Sequence, residues 1–223
     1  MSQAIGSIAI LGGTGALGGG LARRWSKAGF DVIIGSRTLD KAQEAVAELK
    51  KSLGEDIKVK VAAKDNVSAA KAADLVVLTV PYAHHASTLE SVKANVQGKV
   101  LIDVTVPLRP PKVGTVQLPE AGSAATEAQA LLGAEVKVVS AFQNVAADHL
   151  NSDREIDCDV LVAGNDKEAR QLVLGLVEAA GMKGFSIGPV ANSAASEALT
   201  SVLIQINRQF KCHAGIKISG LPE

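Results

Sequence analysis

The segment 13–18, Gly-Thr-Gly-Ala-Leu-Gly, has three glycines at a spacing that is typical of phosphate-binding loops. In a G-x-G-x-x-G pattern the glycines permit a tight turn, let the main chain approach a pyrophosphate, and allow close packing of helix on strand. N–H groups at the positive end of that helix bind the anion. An apolar run precedes the motif and a stretch of helical spacing follows it, so we predict a dinucleotide site. The alternative is a structural turn beside a helix rich in alanine and glycine.

The end of the second apolar run indicates which dinucleotide is bound. An NAD site places an acidic residue there to accept hydrogen bonds from the ribose hydroxyls. This chain instead has Gly35-Ser36-Arg37, with Lys41 four residues beyond the arginine. The guanidinium offers a planar fork of donors that suits a phosphate, and the serine adds a hydroxyl. The sequence therefore favours NADP, although solvated side chains on a helix surface would give the same pattern.

The elements that must position these residues alternate regularly between strand and helix. This alternation is typical of a doubly wound α/β sheet of the Rossmann type, mostly parallel. The proline-rich stretch 106–121 predicts an irregular connection. We predict strands at 7–11, 30–36, 58–62, 74–81, 99–105, 136–142 and 159–164, and helices at 16–29, 39–54, 66–72, 84–96, 123–133, 166–181 and 192–210.

The length of the chain suggests one large domain with a small annex. Residues 1–140 are expected to form the NADP-binding Rossmann domain. Residues 141–223 are too few for an independent domain with a large core, so we expect a small C-terminal α/β annex packed against the first domain.

Composition excludes several classes of partner. The formal net charge is +0 and the pI is about 6.9, whereas a nucleic-acid-binding protein needs a basic face. The sequence has no run of about 18 apolar residues, so no membrane-spanning helix is expected. Cys158 and Cys212 lie far apart, which argues against a disulfide framework or a zinc site, and no metal site is expected. The chain enters a strand near its start rather than a leader, so a cytoplasmic location is expected.

The common enzymes of this fold class need catalytic residues or domains that this chain does not have. Short-chain dehydrogenases need a tyrosine with a lysine four residues later, but the single tyrosine, Tyr82, is followed at that spacing by Ala86. The β-hydroxyacid dehydrogenases and imine reductases need a long helical domain for which this chain has no room. His84 and His85 are adjacent and are expected to point in different directions. No acid–base residue is expected, and direct hydride transfer between two cofactors needs none, only two rings held face to face.

Five segments together resemble the NADPH-dependent coenzyme F420 reductases, the F420:NADP oxidoreductases. They are "GGTGALGGGLA", "IGSRTLDKA", "ADLVVLTVPYAHH", "KVVSAFQNVAA" and "ANSAASEALTSVLIQIN…AGIKI", in the order and spacing of that family and spread over almost the whole chain. The resemblance implies a Rossmann domain that binds NADP and an annex that completes the deazaflavin pocket and a dimer contact. It further implies a homodimer and reversible hydride transfer between nicotinamide C4 and deazaflavin C5.

The same resemblance assigns roles to individual residues. The pyrophosphate loop corresponds to Gly13, Gly15, Ala16 and Leu17, and the 2′-phosphate set corresponds to Thr14, Ser36, Arg37 and Lys41. The edge beside the ribose and nicotinamide corresponds to Val80, Pro81 and His84. The segment that lines the deazaflavin ring corresponds to residues 140–146, with Gln143, Asn144 and Val145 as cofactor-binding residues.

The sequence departs from the archaeal pattern of that family at three positions of the second pocket. Gln143 stands in place of a histidine, Ala146 in place of a proline, and Ala214 in place of a larger apolar residue. A glutamine can still donate a hydrogen bond to a ring oxygen. These departures leave open an NADPH-dependent reductase of a flavin or another small acceptor, and the absence of an acid–base residue leaves open a non-catalytic NADP-binding sensor.

Overall fold

The computed structural model describes residues 5–54 and 58–221. Within them, eight strands and eight helices alternate along most of the chain. The strands are β1 Ser7–Leu11, β2 Asp31–Ser36, β3 Val61–Asp65, β4 Leu75–Leu78, β5 Val100–Asp103, β6 Lys137–Ser140, β7 Asp159–Gly164 and β8 Lys183–Ser186. The helices are α1 Ala16–Lys27, α2 Leu39–Leu53, α3 Asn66–Ala72, α4 His85–Val92, α5 Ala124–Leu132, α6 Ala147–Leu150, α7 Lys167–Ala179 and α8 Ser193–Phe210.

All eight strands form one sheet in the order β3-β2-β1-β4-β5-β6-β7-β8. The first six run parallel, β7 is antiparallel to β6, and β8 is parallel to β7. The order reverses between β1 and β4, and ligands of such sheets bind in the crevice at that point, outside the carboxyl ends of the strands. The predicted doubly wound, mostly parallel sheet is confirmed.

The sheet is buried on both faces, as the apolar runs of its strands require. In β1, Ile8 and Ile10 pack into a cluster on one face, while Ala9 and Leu11 pack into a separate cluster on the other. The first cluster includes residues of α1, α2 and α7, and the second includes residues of α3, α4 and α5. Helices therefore cover both sides of the central strands, and the edge at their carboxyl ends is left for ligands.

Several predicted elements are shorter than expected, such as β4, which ends at Leu78 rather than at residue 81, and α4, which ends at Val92 rather than at residue 96, and three elements differ further. The third strand begins at Val61 rather than at residue 58, because Val61 pairs with Val32 and the strand continues as far as Asp65, which caps α3. The short helix α6 and the strand β8 were not predicted. β8 has the sequence KGFS and lies at the edge of the sheet with both ends exposed, so it lacks the apolar alternation that identifies a strand.

The proline-rich stretch 106–121 contains no helix or strand, as predicted. It packs against α8, where Ser201 Oγ donates to the carbonyl of Thr115 at 3.3 Å and Gln205 Nε2 donates to that of Gly114 at 3.1 Å. None of the helices within residues 5–54 and 58–221 combines the length and the apolar character needed to cross a membrane.

Candidate functional site: a dinucleotide cradle and a second segment

The loop between β1 and α1 has the turn that its glycines predict. Gly12 has φ +74°, a left-handed conformation that glycine adopts without steric cost. The N–H of Gly13 donates to the carbonyl of Ile10 at 3.1 Å, and that of Gly15 donates to Gly12 at 3.0 Å. The chain thus reverses directly from the end of β1 into the first turn of α1.

The glycines of the motif serve two different purposes. A Cβ at Gly13 would lie 2.8 Å from the carbonyl oxygen of Ile10, and one at Gly18 would lie 2.6 Å from Thr79 Oγ1, so both positions are needed for close packing. A Cβ at Gly15 would meet only the carbonyl of Gly12 at 3.5 Å, which is an ordinary contact. Space is therefore left open in front of Gly15, where the main chain can approach a ligand.

The beginning of α1 is suited to an anion. No described side chain caps its first turn, and that turn carries no acidic residue. Thr14, Gly15 and Ala16 are exposed, whereas Gly13 is buried and Leu17 is half-buried. The positive end of the helix dipole and its unshared N–H groups consequently face solvent at the switch point of the sheet.

The end of β2 has a serine and an arginine where an NAD site would have an acid, and the first turn of α2 that follows carries both Asp40 and Lys41. Arg37 and Lys41 are exposed, and Ser36 is buried at 5% exposure. The carboxylate level with Ser36 on the neighbouring strand belongs to Asp65, which accepts a hydrogen bond from the N–H of Ser68 at 2.9 Å. This and the other hydrogen bonds to Ser68 hold the pKa of Asp65 below its usual range, so the acid is committed to capping α3.

The segment after β4 lies directly beside the glycine loop. Thr79 donates to the carbonyl of Leu11 through its N–H and through Oγ1, both at 2.9 Å. A Cβ at Gly12 would lie 2.8 Å from Val80 Cγ1. Pro81 and His84 follow and are exposed. The structure therefore brings the β4 edge next to the glycine loop.

A crevice of about 310 Å³ borders the glycine loop on the side of α1 and α2. Residues 13–16 line it together with Arg23, Glu48 and Asn151. Arg37, Lys41, the β4 edge and the segment 143–145 do not line it. The predicted site residues thus surround the carboxyl edge of the sheet rather than one closed cavity.

The predicted second segment, residues 140–146, is held from both sides by hydrogen bonds. Gln143 Nε2 donates to the carbonyl of Asp103 at 2.8 Å, and Asn144 Nδ2 donates to that of Ser196 at 2.8 Å. Thr200 Oγ1 donates to the carbonyl of Gln143 at 2.9 Å. Both amide side chains are buried and turn toward the protein interior, which fixes the main chain of the segment against β5 and α8.

Sequence reasoning missed a buried ionisable cluster next to this segment. His85 Nε2 lies 2.7 Å from Asp103 Oδ2, and Thr105 N–H donates to Asp103 Oδ1 at 2.9 Å. Burial is the largest single effect on His85 and opposes its protonation, but the hydrogen bond to Asp103 and the negative charges of Asp103, Glu127 and Glu197 together outweigh it and raise the pKa of the imidazole. His84 is exposed while His85 is buried, so the two histidines point in different directions, as expected.

Glu197 on α8 completes the cluster. Its carboxylate accepts from the N–H groups of Ala124 at 2.7 Å and Ala125 at 3.2 Å, at the start of α5. Burial raises the pKa of Glu197 to about 8, against the opposing effect of those two hydrogen bonds. Asp103 ends a buried apolar strand, and that position was the one signal in the sequence that could have identified this cluster.

Comparison with known proteins agrees with the resemblance found in the sequence. The family model described as "NADP oxidoreductase coenzyme F420-dependent" matches residues 7–107. The F420-dependent NADP reductase of Methanocaldococcus jannaschii is 40% identical over 221 residues, which cover 96% of this chain and 98% of that protein. The protein of the same name from Methanothermobacter thermautotrophicus is 39% identical over 223 residues, which cover 97% of this chain and 96% of that protein.

A solved structure shares the fold over its whole length. The crystal structure of a candidate F420-dependent NADP-reductase from Arthrobacter sp. FB24 has a TM-score of 0.78 and 24% identity to this chain, and covers 96% of this chain and 99% of that one. At that identity the structural similarity shows only that the two proteins share a fold. The two archaeal relatives, matched end to end, settle the family: this chain belongs to the F420-dependent NADP reductases.

Proposed function

We propose that this chain is an oxidoreductase that transfers a hydride between NADP(H) and coenzyme F420. The observation that carries the proposal is the match over nearly the whole chain to relatives named F420-dependent NADP reductase. The glycine loop fits this activity, since the first turn of α1 is uncapped by any described side chain and open space lies in front of Gly15. Gly13, Gly15, Ala16 and Leu17 contact the pyrophosphate, and Thr14 belongs with the residues that contact the 2′-phosphate.

The charges at the end of β2 support NADP rather than NAD. Arg37 and Lys41 are exposed and free to contact a 2′-phosphate, and Ser36 stands where an acid would repel it. Guanidinium–phosphate pairs are among the strong hydrogen bonds of proteins. Val80, Pro81 and His84 then border the ribose and nicotinamide.

The second cofactor lies against the segment of Gln143, Asn144 and Val145. The hydrogen bonds of the two amide side chains point inward, so the main chain of this segment is what contacts the ring. Residues 141–223, the C-terminal annex, complete that pocket and adjoin the NADP-binding domain of residues 1–140. When both cofactors are bound, hydride passes directly between nicotinamide C4 and deazaflavin C5, and the chain contributes by positioning the two rings.

A second copy of this chain covers the exposed face of α8. Val202, Ile206 and Phe210 recur every four residues and so share one face of the helix. They are 46%, 36% and 66% exposed, and Val116 and Leu118 of the proline-rich stretch are also exposed large apolar residues. Exposed apolar side chains aligned along one helix face are typical of an interface. The proposed assembly is a homodimer, and its location is the cytoplasm, where NADP(H) is available.

The decisive experiment follows the absorbance of F420 mixed with NADPH and the purified protein, with NADH as alternative donor. Rapid bleaching with NADPH and little with NADH is the expected result. FMN, FAD and riboflavin serve as alternative acceptors in the same series. Turnover of a flavin without F420 would move the activity to a flavin reductase. Tight NADPH binding with no turnover of any acceptor would favour a sensor and overturn the proposal.

A further inference from the structure

Helix α1 contacts both of the regions that would hold cofactors. Its first residues belong to the glycine loop. Along its length it packs against α6, which directly follows the segment 140–146. Asn151 Nδ2 donates to the carbonyl of Ala16 at 3.0 Å, and a Cβ at Gly20 would lie 2.5 Å from Leu150 Cβ. The glycine at position 20 therefore permits a close approach between the two helices.

Arg24, one turn beyond Gly20, fastens the end of α6 to α1. Its Nη2 donates to the carbonyl oxygens of Ser152 at 2.7 Å, Arg154 at 2.8 Å and His149 at 3.2 Å, and its Nε donates to that of Leu150 at 3.4 Å. Carbonyl groups at the end of a helix lack partners within the helix, and a cation there is favourable. A single side chain thus fixes four main-chain groups just after the second segment.

Trp25, the next residue of α1, contacts the segment 140–146 itself. Its Nε1 donates to the carbonyl of Leu176 at 2.9 Å, which orients the indole. The ring packs edge-to-face on Phe142, with 5.9 Å between the ring centroids. Phe142 has φ +70°, a left-handed conformation that a bulky residue adopts only when its surroundings impose it. The contact with Trp25 is one of the forces that keep this turn in place.

We infer that α1 is a rigid element that sets the distance between the two cofactors. Arg24 is the positioning residue that links α1, through the end of α6, to the second site. This inference rests on the proposed function, because it takes residues 140–146 as the wall of the second pocket. Reacting atoms in such steps must approach to about 3–3.5 Å, and a displacement of about 1 Å can slow a reaction on the order of 100-fold. Arg24 touches neither cofactor and acts only through this geometry.

The test compares Arg24→Met with Lys27→Met. Methionine keeps much of the apolar volume of arginine and removes every donor. Lys27 lies on the same helix and pairs with Asp153 at 2.5 Å, and Arg23 also pairs with Asp153 at 2.8 Å, so replacing Lys27 removes a cation of α1 while Asp153 keeps a partner and the carbonyls bound by Arg24 keep theirs. Arg24→Lys keeps the charge but not the planar fork of donors, and it is measured alongside in case the methionine variant does not fold.

Two measurements distinguish positioning from a general structural role. In single turnovers with both cofactors saturating, Arg24→Met is expected to transfer hydride at least tenfold more slowly than the original protein. NADPH deuterated at C4 should then show a full primary isotope effect. The NADPH dissociation constant of Arg24→Met should stay within about twofold of the original. Lys27→Met should match the original protein in both respects. The second measurement is hydrogen exchange without F420. NADP⁺ should protect residues 147–152 in the original chain and in Lys27→Met, but not in Arg24→Met.

Each other result has a defined meaning. Transfer at the original rate, or protection of residues 147–152 that persists in Arg24→Met, overturns the inference. A loss of NADPH affinity in proportion to the loss of rate also overturns it, because the damage would then lie in the glycine loop. If the original protein reduces no F420, the proposed function fails, and the exchange measurement still decides whether α1 couples the two segments.

Discussion

Replacing Arg37 with alanine tests the choice between NADP and NAD. Hydrogen bonds to charged groups contribute about 1.5–3 kcal/mol, which corresponds to roughly 10- to 150-fold in affinity. Arg37 is exposed, so solvent screens its interaction with a phosphate and places the effect near the lower end of this range. Lys41 remains in the variant and retains part of the attraction. We therefore expect NADPH affinity to fall about tenfold and NADH affinity to stay nearly unchanged.

The assay is fluorescence titration of NADPH and NADH with the purified variant at low and at moderate salt. The matched control is Lys51→Ala, which removes one exposed cation from the far end of α2. At 0.1 M salt a charge that distant is largely screened, since the Debye length is about 10 Å. Equal losses for NADPH and NADH, or the same loss in Lys51→Ala, would refute the assignment of Arg37 to the 2′-phosphate.

Three further predictions follow from contacts described above. Gly18→Ala should lower the free energy of unfolding by about 1–3 kcal/mol, because its Cβ would meet Thr79 Oγ1 at 2.6 Å. The control is Gly175→Ala, whose Cβ would meet nothing within 4 Å and which should be neutral or stabilising. Thermal melting without cofactor checks both variants. Glu197→Gln should flatten the fall in stability as pH rises from about 4.5 to about 8, measured by denaturant unfolding across that window. Phe210→Asp should yield monomers in light scattering, whereas Val67→Asp, at an exposed apolar residue of α3 away from this patch, should not.

The sign of the pH effect follows from proton binding. Above the ordinary pKa of a glutamate and below about 8, the folded chain retains a proton on Glu197 that the unfolded chain has released. Stability therefore decreases as pH rises through this window. The raised pKa of His85 acts in the same direction, since the folded chain also holds that proton more tightly. A stability that rose with pH over this range would contradict both assignments.

Local patterns were sufficient for the central sheet and for the glycine loop. β1, α1 and β2 carry their own signals, because buried parallel strands are apolar throughout and the glycines have steric reasons to be where they are. The reversal of β7 against β6 could not be foreseen in this way. It depends on how two strands 19 residues apart meet in space (from Ser140 to Asp159), and no local pattern encodes it.

The sequence could propose residues for a second site but could not predict how their side chains are oriented. The resemblance assigned Gln143 and Asn144 to that site, yet whether an amide faces a ligand or the interior depends on partners far along the chain, such as Asp103 and Ser196. The pairing of His85 with Asp103 joins the start of α4 to the end of β5, and neither residue is distinctive on its own. A cluster of residues that come from distant elements can be identified only once the fold is known.

The carboxylate of Glu197 also bears on the order in which the chain folds. It satisfies the N–H groups that open α5, which were placed 73 and 72 residues earlier in the sequence. Until α8 docks, those donors are served only by solvent, and closing so long a loop costs entropy before the contact is gained. A helix made later in synthesis thus completes one made much earlier, so a chain truncated before α8 should begin to fray at α5, within the half proposed to bind the nucleotide.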